Sequence, residues 1–250
     1  MPATDRAPVA VITGGGGGIG RAAGLALAAA GHHVVFCGRT AESLQQSIDL
    51  AGSGAALVLD VTHEDAVEAG FAEIARRRGR IDVLVNSAGV FGTQKPVTET
   101  PLQDWVQTMT VNVTGSFLCA KAAMRIMAAQ DPQGGRIINI GSVSAQVPRP
   151  HAVPYTASKF AVNGLTRALA LEGRDSGIAV GQIDVGNAAT TMTSGFESGS
   201  LQADGAVRAE PKFDVRHVGS TVAHIAGLPT DVSVPFLTIM ATSMPLLGRG

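Results

Sequence analysis

The chain has 250 residues, enough for one large α/β domain, and a formal net charge of -1 that gives no electrostatic basis for binding nucleic acid. Two cysteines rule out a disulfide framework or a CxxC metal site, and no apolar stretch reaches the roughly 20 residues of a membrane span. Only 16% of residues are charged against 45% apolar, so extensive burial is expected, subunit interfaces included.

Val9–Ile12 is a short apolar run of the kind a strand buried on both faces shows. Thr13 and five glycines, Gly14 to Gly18, follow at once, and Ile19-Gly20 opens an alanine-rich helix over 21–30, stopped by Gly31. Strand, glycine turn and helix form a mononucleotide-binding unit. Glycines let the backbone approach a pyrophosphate, and the helix N-terminus offers it free N–H groups.

Strands and helices then alternate. Strands are predicted over 32–37, 55–59, 81–85, 136–140, 178–183 and 234–240. Helices are predicted over 41–50, 64–78, 102–130 as one long helix, 155–174 and 214–227. Cys37 and Cys119 fall in a strand and a helix as buried thiols. The Arg76-Arg77-Arg78 run suits the C-terminal end of a helix dipole and reads as a solvated helix end. Strict βα alternation implies a doubly wound parallel sheet of about seven strands with right-handed crossovers and helices on both faces. One domain over 1–250 is expected, with the Gly/Ser/Thr-rich stretch 187–212 as a substrate lid.

In such a sheet, ligands bind beyond the C-terminal strand ends. Arg39 follows the second strand, where an arginine can pair with a ribose 2′-phosphate. Gly141-Ser142 follows the fifth strand; Tyr155, the only tyrosine, comes thirteen residues after Ser142, with Lys159 four residues later on the same helix face.

The T-G-x-x-x-G-I-G turn and the Ser142…Tyr155-x-x-x-Lys159 set resemble the short-chain dehydrogenase/reductase family over nearly the whole chain, Val9 to Met240. Asn86-Ser87-Ala88-Gly89 is similar to the family's N-N-A-G, and Asn112 stands in its V-N-V. Val185-Gly186-Asn187-Ala188-Ala189-Thr190 matches P-G-x-x-x-T with valine for proline, and the C-terminal end lacks the family's glycine-rich pattern.

The resemblance implies a Rossmann-fold oxidoreductase that moves a hydride between a nicotinamide cofactor and a ketone or secondary alcohol. Tyr155 would be the general acid/base, Lys159 would lower its pKa and hold the ribose, and Ser142 would hydrogen-bond the substrate oxygen. Asn112 would hold a relay water. Cofactor contacts would come from Gly14, Gly16, Gly17, Gly18, Ile19, Gly20, Arg39, Asp60, Val61, Asn86, Ala88, Gly89, Gly186, Ala188 and Thr190, together with Tyr155 and Lys159. Arg39 favours NADP(H) over NAD(H). Phe91, Ser144, Gln146, Val147, His151 and Phe196 would line the substrate pocket, with Arg149 and His151 on a solvated loop.

A small or medium neutral substrate is expected, in a cytoplasmic homo-oligomer, dimer or tetramer, without nucleic-acid or membrane partners. A 3-oxoacyl-thioester reductase is disfavoured by Gln133 and Asp175-Ser176, where such enzymes carry basic residues. An epimerase would need a larger C-terminal domain. A non-catalytic dinucleotide sensor would not need the intact Asn112, Ser142, Tyr155 and Lys159.

Overall fold

The computed structural model describes residues 6–192, 199–244 and 246. Seven parallel strands form one sheet: β1 (Val9–Thr13), β2 (His33–Gly38), β3 (Ala55–Val58), β4 (Val83–Asn86), β5 (Gly135–Ser142), β6 (Ile178–Val185) and β9 (Phe236–Ile239), in the order β3-β2-β1-β4-β5-β6-β9. A two-stranded ribbon, β7 (Ser200–Leu201) with β8 (Val207–Arg208), stands apart. The order reverses between β1 and β4, the switch point at which a doubly wound sheet opens a crevice.

Burial follows strand position. Every residue of β1, β4 and β5 is buried, whereas the edge strands β3 and β9 alternate. Central strands are covered on both faces and need apolar residues throughout; edge strands are not. Successive side chains point to opposite faces, so Val11 and Ile12 enter different cores.

One core holds Val11, Val35, Leu84 and Ile137 against Phe71, Leu118 and Leu169, from α3 (Glu64–Arg78), α5 (Gly115–Ala129) and α6 (Val153–Glu172). The other holds Ile12, Phe36, Val85 and Ile183 against Leu27, Leu44 and Val222, from α1 (Gly18–Ala29), α2 (Ala41–Ala51) and α7 (Arg216–Ala226). Both cysteines are buried and unpaired, and burial pushes the Cys119 thiol up to about 12, which makes it unreactive.

The expected long helix over 102–130 is present over 102–129, with a π turn inside it. α4 (Leu102–Met109) runs into a π turn, Thr110–Thr114, before α5 begins. Periodicity does not announce such a turn, because one extra residue leaves the surrounding helical pattern readable. The turn is held by the side chain at its centre, Asn112, and π turns cluster at functional sites. α6 also starts two residues earlier than expected, with Pro154 in its first turn where no amide donor is needed. Among the described residues, no helix is long and apolar enough to cross a membrane.

Candidate active site

Thr13 ends β1 and ties the glycine turn to the stretch after β4. Its Oγ1 accepts from the Ser87 and Ala88 amides at 3.0 and 3.1 Å. Gly14 has φ +66, and a Cβ there would stand 3.0 Å from the Ala88 backbone, so only glycine fits. A Cβ at Gly20 would run into the Gly14 carbonyl. Gly17, the residue before α1, is extended and gives the helix no side-chain cap. The first-turn N–H groups therefore remain without a side-chain acceptor, an arrangement suited to a phosphate.

Arg21 secures this turn, donating to the Gly16 carbonyl at 2.5 Å and to Ser47 Oγ at 2.9 Å. Arg39 is exposed just past β2 and stands close enough to Asp60 to help hold that carboxyl below its ordinary value. Burial pulls Asp60 up, but the Thr62 amide and hydroxyl, Arg39 and His63 outweigh it. Thr62 donates to Asp60 rather than capping α3, whose N-cap residue is His63 without a side-chain bond.

A cleft of about 340 Å³ runs from Gly14, Gly17, Gly18 and Ile19 past Ser87 and Gly89 to Ser142, Tyr155 and Lys159, and on to Gly186, Ala188 and Thr190. Phe91, Ser144, Arg149 and Met192 border its outer part. Of the residues singled out by sequence, Gly16, Gly20, Arg39, Asp60, Val61, Asn86, Ala88, Asn112, Gln146, Val147 and His151 do not line this cleft. Asn86 faces the core, donating to Ser116 O at 3.2 Å and Asn139 Oδ1 at 3.0 Å. Gln146 turns away from the cleft, toward Asp184 and Thr238. Phe196 lies outside the described residues.

Tyr155 and Lys159 lie one turn apart on α6. The phenol hydrogen-bonds Ser142, at the end of β5, and its ring stacks on Phe91 with centroids 4.5 Å apart. Lys159 Nζ donates to the Ile140 carbonyl at 2.8 Å and stands 5.6 Å from the Tyr155 ring centroid. The expected depression of the tyrosine pKa is absent. Burial pushes the phenol up, Asp184 adds to that, and the Ser142 bond and the Arg149 charge offset it only in part. Burial also pulls Lys159 down to about 8, against the charge of Asp184. Desolvation disfavours both ionised forms and here outweighs their neighbours.

The Asn112 side chain is fully engaged within the protein. Its Nδ2 donates to Val90 O and Ser158 Oγ, both at 2.9 Å, and its Oδ1 accepts from Val90 N at 2.8 Å. Both amide hydrogens are used. The side chain joins the stretch after β4 to the helix of Tyr155.

Arg149 is not on a solvated loop. Its guanidinium pairs with Glu210 at 2.6 Å and donates to Asn187 Oδ1 at 2.8 Å, with side-chain exposures of 10% for Arg149 and 5% for Glu210. His151, with φ +57, borders a small pocket beside Phe91, Gln94 and Ser200. The sequence reading missed Glu210 and Asp184. The second carried a signal, as a carboxylate inside the apolar run Ile178–Val185. Among the described residues, no cluster of metal-binding side chains occurs.

The parallel sheet, the glycine turn and the Ser–Tyr–Lys cleft define a Rossmann-type oxidoreductase. The sequence profile described as short chain dehydrogenase matches residues 8–200. A 3beta-hydroxysteroid dehydrogenase of Mediterraneibacter gnavus is 36% identical over 189 residues, 74% of this chain and 67% of that protein. Two solved structures superpose with TM-scores of 0.85 at 29% identity: NAD+-bound xylitol dehydrogenase, covering 95% of this chain and 99% of that one, and an actinorhodin polyketide ketoreductase variant with NADPH, covering 96% and 98%. The chain belongs to the short-chain dehydrogenase/reductase family and is a nicotinamide-dependent oxidoreductase.

Proposed function

We propose that the protein interconverts a small or medium neutral ketone and its secondary alcohol, with NADP(H) preferred and Tyr155 as general acid/base. The observation that carries this reading is the placement of the Tyr155 hydroxyl on Ser142, with Lys159 one turn behind it, in the cleft that begins at the glycine turn. A nicotinamide dinucleotide fits the residues present. The uncapped start of α1 suits its pyrophosphate, and Gly89, Gly186 and Ala188 leave room along the cleft. Gly14, Gly17, Gly18, Ile19 and Thr190 line the cleft and complete the proposed contacts there, and Gly16, Gly20, Asp60, Val61, Asn86 and Ala88, beside the cleft, are proposed as further ones. When bound, the cofactor supplies or accepts the hydride.

In the reductive direction Tyr155 gives its proton to the carbonyl oxygen, and Ser142 donates a hydrogen bond to the same atom as negative charge develops. In the oxidative direction Tyr155 takes the hydroxyl proton. Lys159 contributes an ammonium beside the phenol and a donor for a ribose hydroxyl. Asn112 acts by fixing the helix that carries both. Ser144 and Phe91 shape the substrate end, with His151 in the small pocket beside Phe91, and the described residues 187–192 and 199–212 belong to the proposed lid. The ion pair with Glu210 neutralises Arg149 beside the cleft, which favours an uncharged substrate. Arg39, exposed past β2, supports the NADP(H) preference. Exposed Leu102, Val106, Phe117 and Phe160 support assembly as a homo-oligomer. A cytoplasmic setting accords with two buried, unpaired thiols.

A panel of neutral ketones assayed with NADPH and NADH, for wild type and Tyr155→Phe, tests this. Tyr155→Phe is expected to lose about 10²–10⁴-fold in kcat/KM. Cofactor binding, read by fluorescence of the single tryptophan, Trp105, should be retained. A Tyr155→Phe enzyme with full turnover would overturn the assignment.

A further inference from the structure

Asp184 is a buried acid for which the mechanism above has no use. It lies on β6, 3% exposed, and pairs in register with Gly141 of β5. Its Oδ1 accepts from the Ser142 amide at 3.1 Å and from Gln182 Nε2 at 2.7 Å; its Oδ2 accepts from Gln146 Nε2 at 2.8 Å. Gln182 is itself oriented, because its Oε1 meets Thr166 Oγ1 at 2.9 Å. A buried carboxylate is tolerated only where such donors surround it. The chain has also made room for it. A Cβ at Gly141 would run into the Asp184 carboxylate and the Gln182 amide, so glycine at 141 and acid at 184 are one arrangement.

Side chains at 182 and 184 share a face of the sheet, the face on which α6 packs through Thr166. The carboxylate therefore sits behind Ser142, Tyr155 and Lys159. We propose that Asp184 is a positioning residue of this centre: it holds the Ser142 backbone from behind and supplies the buried negative charge that balances Lys159 against Tyr155. The inference rests on the proposed role of Tyr155 for its functional meaning.

The groups facing the phenol are Ser142 from β5, Arg149 from the loop after it, Lys159 from α6 and Asp184 from β6; Phe91, on the β4 side, is uncharged. Glu210 already occupies Arg149. Negative charge at 184 disfavours the phenolate and favours the ammonium, as the opposing influences on the two groups indicate. Its consequence is a site held as neutral phenol with protonated lysine, the form that donates a proton to a carbonyl.

Tyr155 is the only tyrosine, so tyrosinate absorbance in an alkaline titration reads this one group without cofactor or substrate. The titration is made by rapid pH jump, with circular dichroism recording the fold. Asp184→Asn is close to isosteric, since Gln146 can turn its amide to meet the new donor. The tyrosinate midpoint is expected to fall by roughly one pH unit in Asp184→Asn and in Asp184→Ser. Asp184→Glu is expected to move it back toward wild type. Midpoints that coincide with wild type in both neutral variants overturn the proposal. Failure of both to fold also overturns it, by assigning Asp184 to the scaffold alone. Because the titration needs no turnover, an inactive wild type would refute the reductase reading and leave this result separate.

Discussion

Asn112 at the centre of the π turn donates to Ser158 on α6 at 2.9 Å while exchanging two hydrogen bonds with the Val90 backbone. Three segments distant in sequence are joined by one amide, and Ser158 adjoins Lys159. Asn112→Ala strands the Val90 amide and carbonyl and leaves Ser158 without its donor. A loss of about 2–4 kcal/mol is expected in urea unfolding, with kcat falling more than KM rises.

Arg149 and Glu210 join the loop after β5 to the residues that follow β8. Glu210 is buried and the Arg149 side chain largely covered, so removing one leaves the other charge less compensated. Glu210→Gln and Arg149→Met are each expected to lower stability by about 2–4 kcal/mol, and the double variant Arg149→Met with Glu210→Leu by less than the two singles added. Thermal melts across this double-mutant cycle check the coupling. Simple additivity would show that the pair carries no joint term.

Arg39 is exposed past β2. If it meets a 2′-phosphate, Arg39→Leu should weaken NADPH roughly 10- to 100-fold, the loss of one charge-assisted contact, and leave NADH nearly unchanged. Titration of Trp105 fluorescence with each cofactor separates the two. Equal losses would place Arg39 outside cofactor discrimination.

Burial holds Lys159 at about 8, below its ordinary value of 10.5. At pH below 8 the folded protein must keep a buried ammonium, so the cost of burial is fully present there. Between pH 8 and 10.5 the unfolded chain binds the extra proton, and stability contributed at this site rises with pH, by up to about 3 kcal/mol. Lys159→Met removes the dependence. The stability of Lys159→Met relative to wild type, followed by denaturant midpoints in cofactor-free protein, should fall across that window. A constant difference would refute it.

Much of this molecule is written locally. The apolar run before the glycine turn, the alternation of strands and helices, and the i, i+4 spacing of Tyr155 and Lys159 are determined by short-range sequence, because a strand buried on both faces and a helix face each impose their own period. Those features announced the sheet, its crevice and the residues bordering it.

The tertiary structure alone decided what depends on contacts between distant segments. The π turn exists because Asn112 finds Val90 and Ser158 across the fold. The Arg149 side chain is largely covered because Glu210, sixty-one residues on, meets it. The direction of the Tyr155 and Lys159 shifts is a matter of desolvation, which spacing cannot express: burial raises the phenol and lowers the ammonium, whatever their separation on the helix.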